Sequence, residues 1–125
     1  ADSQRFPEAE KCYLKAISMD STLVESYSNL GDLYARFKSH EAAEQLYFKA
    51  IQMDPTQSVP YYNLACISSL KLKTDKAFEF LEFALKNGLN KYEWMQQDTD
   101  LTVLRERKEQ WKELMKKYFP ERMKH

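Results

Sequence analysis

Residues Val24 to Pro55 read VESYSNLGDLYARFKSHEAAEQLYFKAIQMDP. Apolar side chains fall at Leu23, Val24, Tyr27, Leu30, Leu33, Tyr34 and Phe37, the spacing of one face of a helix. The polar break Lys38-Ser39-His40 closes that face, and a second opens at Ala42, Ala43, Leu46, Tyr47, Ala50 and Ile51. The second helix must stop at Asp54-Pro55, because Pro55 has no amide proton to donate and crowds Asp54 out of the helical region. The result is a hairpin of two antiparallel helices that cannot bury its apolar face alone.

Working outward, Ala9, Ala43 and Ala77 recur 34 residues apart, as do Ala16, Ala50 and Ala84, with Tyr13, Tyr47 and Leu81 between them. A fixed period of this length predicts stacked hairpins that cover one another. On the C-terminal side a second hairpin places Tyr61, Leu64, Ala65 and Ile67 on its first helix, and Ala77, Phe78, Leu81, Ala84 and Leu85 on its second. Thr74 or Asp75 can cap that second helix, and Gly88 is placed to end it in the left-handed conformation. On the N-terminal side only half a unit remains, carrying Phe6, Ala9, Tyr13, Ala16 and Ile17. Its partner helix would precede residue 1, so self-association through this N-terminal helix, or origin in a longer array, is expected.

The period fails beyond Lys91, where Met95 and Trp111 stand at the places of Tyr61 and Ala77. Asp98-Thr99-Asp100 reads as a helix start, followed at helical spacing by Leu101, Leu104, Trp111, Leu114, Met115, Tyr118 and Phe119. The expected organisation is an array over residues 1–90 and a helical cap over residues 91–125. The array comprises a half unit at 5–23, a whole unit at 24–57 and a degenerate unit at about 58–91.

Composition narrows the functions. The 125 residues are 43% hydrophobic with only 2 Gly and 4 Pro, which favours helices over sheet. Nineteen basic side chains balance nineteen acidic ones, so nucleic acid is not an expected partner. No apolar run approaches the ~20 residues of a membrane span. Cys12 and Cys66 form no CxxC pair or His-flanked cluster, so no metal site or redox pair is expected, and a reducing, cytoplasmic setting is mildly favoured. The chain opens on Ala1 rather than Met, as a processed protein or an excised fragment would. His40 in the turn and His125 at the end have no activating neighbours. Asp98 and Asp100 read as caps rather than paired acids or cation ligands, so neither an enzyme nor a cofactor is expected.

Tyr27, Leu30, Gly31, Tyr34, Ala43, Tyr47, Ala50 and Pro55 together resemble the tetratricopeptide repeat, with Gly31, Ala43 and Ala50 as the small residues that let helices approach. Residues 58–91 keep Tyr61, Leu64, Ala77, Leu81 and Ala84, but have Ala65, Ser68 and Leu89 where the family has Gly, Tyr and Pro, and Ser68 leaves room where the Tyr would sit. The resemblance implies an all-α fold, a right-handed superhelical stack of antiparallel hairpins. The D-x-D-L-x-x-L start of the tail is similar to the cap after some bacterial repeat arrays. In this family the first helix of each unit lines the concave face. Its inward positions here are Glu25, Ser28, Asn29, Asp32 and Arg36, then Val59, Tyr62, Asn63, Cys66 and Leu70. Asn29 and Asn63, one period apart, either clamp a peptide backbone or serve hydrogen bonds between helices. Ser28, Asp32, Tyr62 and Cys66 occupy the places of the family's carboxylate clamp, and Asp32 would repel an Hsp70 or Hsp90 C-terminal tail. The resemblance thus implies a non-enzymatic module that binds another protein or peptide. The alternative is a segment of a larger scaffold whose groove is filled by its own chain or a second copy.

Overall fold

The computed structural model describes residues 5–20 and 23–123; His125 lies outside them. Eight α-helices and no strand occur among the described residues. They are α1 (Phe6–Met19), α2 (Val24–Phe37), α3 (His40–Met53), α4 (Ser58–Leu70), α5 (Thr74–Lys86), α6 (Tyr92–Gln97), α7 (Thr102–Glu106) and α8 (Lys108–Tyr118). Single 3-10 turns at Thr99–Leu101 and Pro120–Met123 follow α6 and α8. The hairpins α2–α3 and α4–α5 lie where the periodicity puts them.

Local chemistry explains the boundaries. Ser39 Oγ accepts the Ala42 amide at 3.0 Å, which makes His40 the first residue of α3 rather than part of the turn. Asp54 is extended (φ −149°, ψ 92°) and its carboxylate takes the amide and hydroxyl of Thr56 at 3.1 and 2.5 Å, ending α3 before Pro55. At α5 the capping expectation fails: Lys73 occupies the cap, and Thr74 and Asp75 lie inside the first turn. Asp75 instead accepts Arg107 Nη1 at 2.5 Å, tying α5 to the tail.

Two apolar clusters form the core. Leu30, Tyr34, Ala43, Tyr47, Leu64 and Ile67 join α2, α3 and α4, with Phe6, Tyr13 and Ile17 of α1 against them. No residue of α1 is fully buried, although Phe6 meets the rings of Tyr34 and Phe37 at 6.1 and 5.8 Å. The second cluster joins Ala65, Phe78, Leu81 and Leu85 to Met95, Leu101, Leu104, Trp111, Leu114 and Met115. Met95, Leu101 and Leu104 are wholly buried, and each such side chain contributes ~1.5–3 kcal/mol. The tail is therefore part of the core. Its helical pattern is realised in pieces, because Arg107 (φ −84°, ψ 75°) leaves the helical region between α7 and α8. Ser68 is only 3% exposed, so the room left by the missing Tyr is not open to water.

Gly31 marks a close approach of α2 to the Tyr47 ring of α3. A Cβ there would stand 2.8 Å from Tyr47 Cε1 and 3.1 Å from Cδ1. Alanine gains ~1 kcal/mol of helix propensity over glycine, whereas overpacking a core costs ~1–3 kcal/mol. Because the ring is buried and cannot move freely, Gly31→Ala should lower stability by about 1 kcal/mol in urea unfolding.

The ends of α4 and α5 form a matched pair. Lys73 N–H bonds Ser68 C=O at 2.8 Å and Leu72 N–H bonds Ser69 C=O at 3.0 Å; Leu89 N–H bonds Ala84 C=O and Gly88 N–H bonds Leu85 C=O, both at 3.1 Å. Both are Schellman closures, which need a left-handed residue. Gly88 supplies it at φ 95°, as the sequence predicts, but Leu72 takes φ 61° with a side chain 73% exposed. A left-handed L-residue costs ~1–2 kcal/mol. Leu72→Gly should therefore raise the melting temperature, and Gly88→Ala should lower it, by amounts matching about 1 kcal/mol each.

Candidate functional site

Helices α2 and α4 present one side of their hairpins to a depression of about 450 Å³, and the segment from Trp94 to Asp100 closes its far side. Asp32 and Arg36 come from α2, Tyr62, Asn63, Cys66 and Leu70 from α4, and Tyr47 and His40 from α3. The helical period puts Asp32 and Arg36 one turn apart, and likewise Tyr62, Cys66 and Leu70, so each set shares a face.

Asp32 is the junction of three helices. Its Oδ1 accepts the hydroxyl of Tyr47 and, at 2.9 Å, Nδ2–H of Asn63. Loss of solvent around the carboxyl raises its pKa, and the Tyr47 bond partly opposes this. Burial, followed by the bond to Asp32, pushes the Tyr47 phenol up in turn, so it remains a donor. Asp98 forms a second junction. Its Oδ1 accepts the Asp100 amide at 3.0 Å, the capping role expected of it, while its Oδ2 accepts the Tyr62 hydroxyl and the Cys66 thiol, the latter at 3.9 Å. Burial, then the charges of Asp98 and Asp100, push the Cys66 thiol up, which keeps it protonated and unreactive. Asp100 lies in the turn rather than at a cap, and burial together with Asp98 raises its carboxyl pKa.

Cys66 Sγ and the carboxylates of Asp98 and Asp100 lie within 4.8 Å of one another, so among the described residues these three could hold a cation. The Tyr62 hydroxyl and the Asp100 amide already satisfy Asp98 without one.

Six of the ten inward residues named from the sequence, Asp32, Arg36, Tyr62, Asn63, Cys66 and Leu70, line this one depression. Asn29 is exposed and lines a smaller neighbouring hollow of about 150 Å³ between α1 and α2, where Asp32 and Arg36 also appear. Ser28 is buried at 8% exposure, and its Oγ has no hydrogen-bond partner among the described residues. Trp94, Asp98 and Asp100 were not expected at the groove. Nothing in a 34-residue period tells where a non-repeating tail folds back, although an exposed Trp beside an acidic pair is the kind of signal that marks such a wall.

Residues 12–45 match the tetratricopeptide repeat family, a stretch of one period that runs from within α1, through α2, into α3. No curated protein matches the chain. The frame of the match starts ahead of the hairpin at Val24, so it reads the end of one unit and the beginning of the next. No helix of the described residues is long and apolar enough to cross a membrane.

Tyr47→Phe keeps the ring against Gly31 but strips Asp32 of a donor, and should cost about 1–2 kcal/mol in urea unfolding at neutral pH. The pH dependence follows from the raised pKa of Asp32. The folded state holds this proton more tightly than the unfolded one, so the group's contribution to stability falls as pH rises from 3.8 through its folded pKa. Asp32→Asn should remove that fall, measured as the difference in unfolding free energy between variant and wild type across the acid range.

Proposed function

We propose that this chain, which carries a tetratricopeptide repeat, is a non-enzymatic protein-interaction module that holds a peptide or helix of another protein in the groove between α2, α4 and the Trp94–Asp100 wall. The family is generally a non-enzymatic interaction fold, and a protein partner follows from that. The finer reading rests on one observation: six residues at the repeat's inward places, Asp32, Arg36, Tyr62, Asn63, Cys66 and Leu70, line one open depression that mixes acids, an amide, a guanidinium and aromatic rings. Such a surface can bond a backbone and seat side chains without doing chemistry. Its thiol is protonated and its phenols are held as donors, which leaves no activated nucleophile there.

Asn63 Nδ2 donates to Asp32, as a hydrogen bond between helices would have it, and the same residue lines the groove, where its amide is placed to meet a peptide backbone. Three carboxylates against one guanidinium make an acidic C-terminal tail a poor occupant.

Affinity capture from native lysate with the full chain as bait should recover a partner that the Asn29→Ala/Asn63→Ala variant loses at least in large part. Equal recovery by the variant, once its melting curve shows a folded protein, would remove the two amides from the binding surface.

A further inference from the structure

The groove continues into an apolar hollow, and the two together specify the kind of peptide that fits; this inference rests on the groove reading above. Val59, Tyr62, Leu89, Lys91 and Trp94 line a cavity of about 440 Å³. Val59 is 53% and Trp94 61% exposed, while Met95 and Trp111 carry the packing of the tail. Apolar surface that the fold does not use, gathered around a cavity, marks a place for a partner side chain. Tyr62 and Trp94 line both depressions, so the hollow and the groove share a wall.

On the groove side of that wall stand Asp98 and Asp100, with Asp32 further along. Asp98 and Asp32 are hydrogen-bonded within the protein. The Asp100 carboxylate accepts no hydrogen bond from the described residues, is only partly exposed, and sits beside another carboxylate. A charge so placed lacks the compensation that a cation would provide. The neighbouring groups do not fully provide it: Tyr47, Tyr62 and Cys66 are neutral donors, the charge of His40 favours the Asp100 carboxylate but less than burial and Asp98 oppose it, and Arg36 lies with Asp32 where the two hollows meet. Lys91, at the edge of the apolar hollow, would repel a cation there and so orients the ligand.

We infer that the occupant is an extended segment of another protein in which a Lys or Arg side chain lies close to a bulky apolar one, the cation meeting Asp98 and Asp100 and the apolar side chain entering the hollow beside Val59 and Trp94. The guanidinium or ammonium donates to the free oxygens of Asp100 and stacks toward the Trp94 ring. The two subsites recognise a pair of side chains, so neither half alone suffices. A small metal ion, by contrast, would need only Cys66, Asp98 and Asp100 and would be indifferent to Trp94.

The test is selection of short random peptides displayed on phage against the full chain, followed by fluorescence polarisation on the synthetic form of the enriched sequence. Enrichment of Lys or Arg within a few residues of Leu, Phe, Trp or Met is expected, with affinity weakened about tenfold by Asp100→Asn and about tenfold by Trp94→Ala. Added NaCl should weaken it further. Trp94 is exposed and the partly buried Asp100 carboxylate holds no hydrogen bond within the described residues, so both variants should keep the wild-type melting curve. Enrichment of neutral or acidic peptides whose binding is lost in Asn63→Ala overturns the cationic class and leaves the groove reading intact. Loss with Asp100→Asn while Trp94→Ala is neutral overturns the paired recognition. No enrichment, or peptides indifferent to all three substitutions, overturns the groove reading as well.

Discussion

The contact of the Tyr47 ring with the bare Cα of Gly31 governs the geometry of this molecule. It brings α2 and α3 so close that a single methyl group would intrude on the ring. With the ring seated there, the hydroxyl of Tyr47 reaches Asp32 on the next residue of α2, and Asp32 in turn accepts from Asn63 on α4. A packing constraint in the core thus sets the position of a carboxylate at the surface. The three helices that carry the groove are linked through one side chain, whose cost of desolvation the Tyr47 bond opposes only in part.

The tail repeats this logic with different chemistry. Its apolar residues are buried with those of α4 and α5, and Trp111 donates its indole N–H to Gln96 at 3.2 Å, bracing α8 against α6. That burial turns the Trp94–Asp100 segment toward α4, where Asp98 meets Tyr62 and Cys66. A segment that packs on the last hairpin therefore also forms a wall of the depression. Stabilisation of the array and construction of that wall are the same packing event, which is why Asp98 acts at once as a cap and as a groove residue.

Much of this was legible in the residues. The alternation of apolar faces placed α2 to α5, and Pro55 and Gly88 marked two helix ends, whereas of the two asparagines one period apart only Asn63 lines the depression and Asn29 lies at the smaller hollow beside α1. Boundaries set by one side chain were less legible: Ser39 drew His40 into α3, and Asp75 was taken from capping by Arg107, a partner 32 residues away. Leu72 in a left-handed position gave no sign, because the sequence shows only a leucine where glycine is usual. The tail could be recognised as a cap but not placed, since its contacts with α4 come from long-range burial rather than from spacing. Ser28 shows the remaining gap: periodicity puts it on the inward face, yet the turn of α2 buries it.

The central claim is that α2, α4 and the Trp94–Asp100 segment form one binding face. Amide chemical-shift mapping with a bound peptide tests it most directly, because every residue reports separately. The account predicts that the largest changes fall on Asp32, Asn63, Cys66, Trp94 and Asp98 together, with little change along the α5 face that carries Glu79 and Phe83. Changes centred on that outer face, or confined to α1, would contradict it.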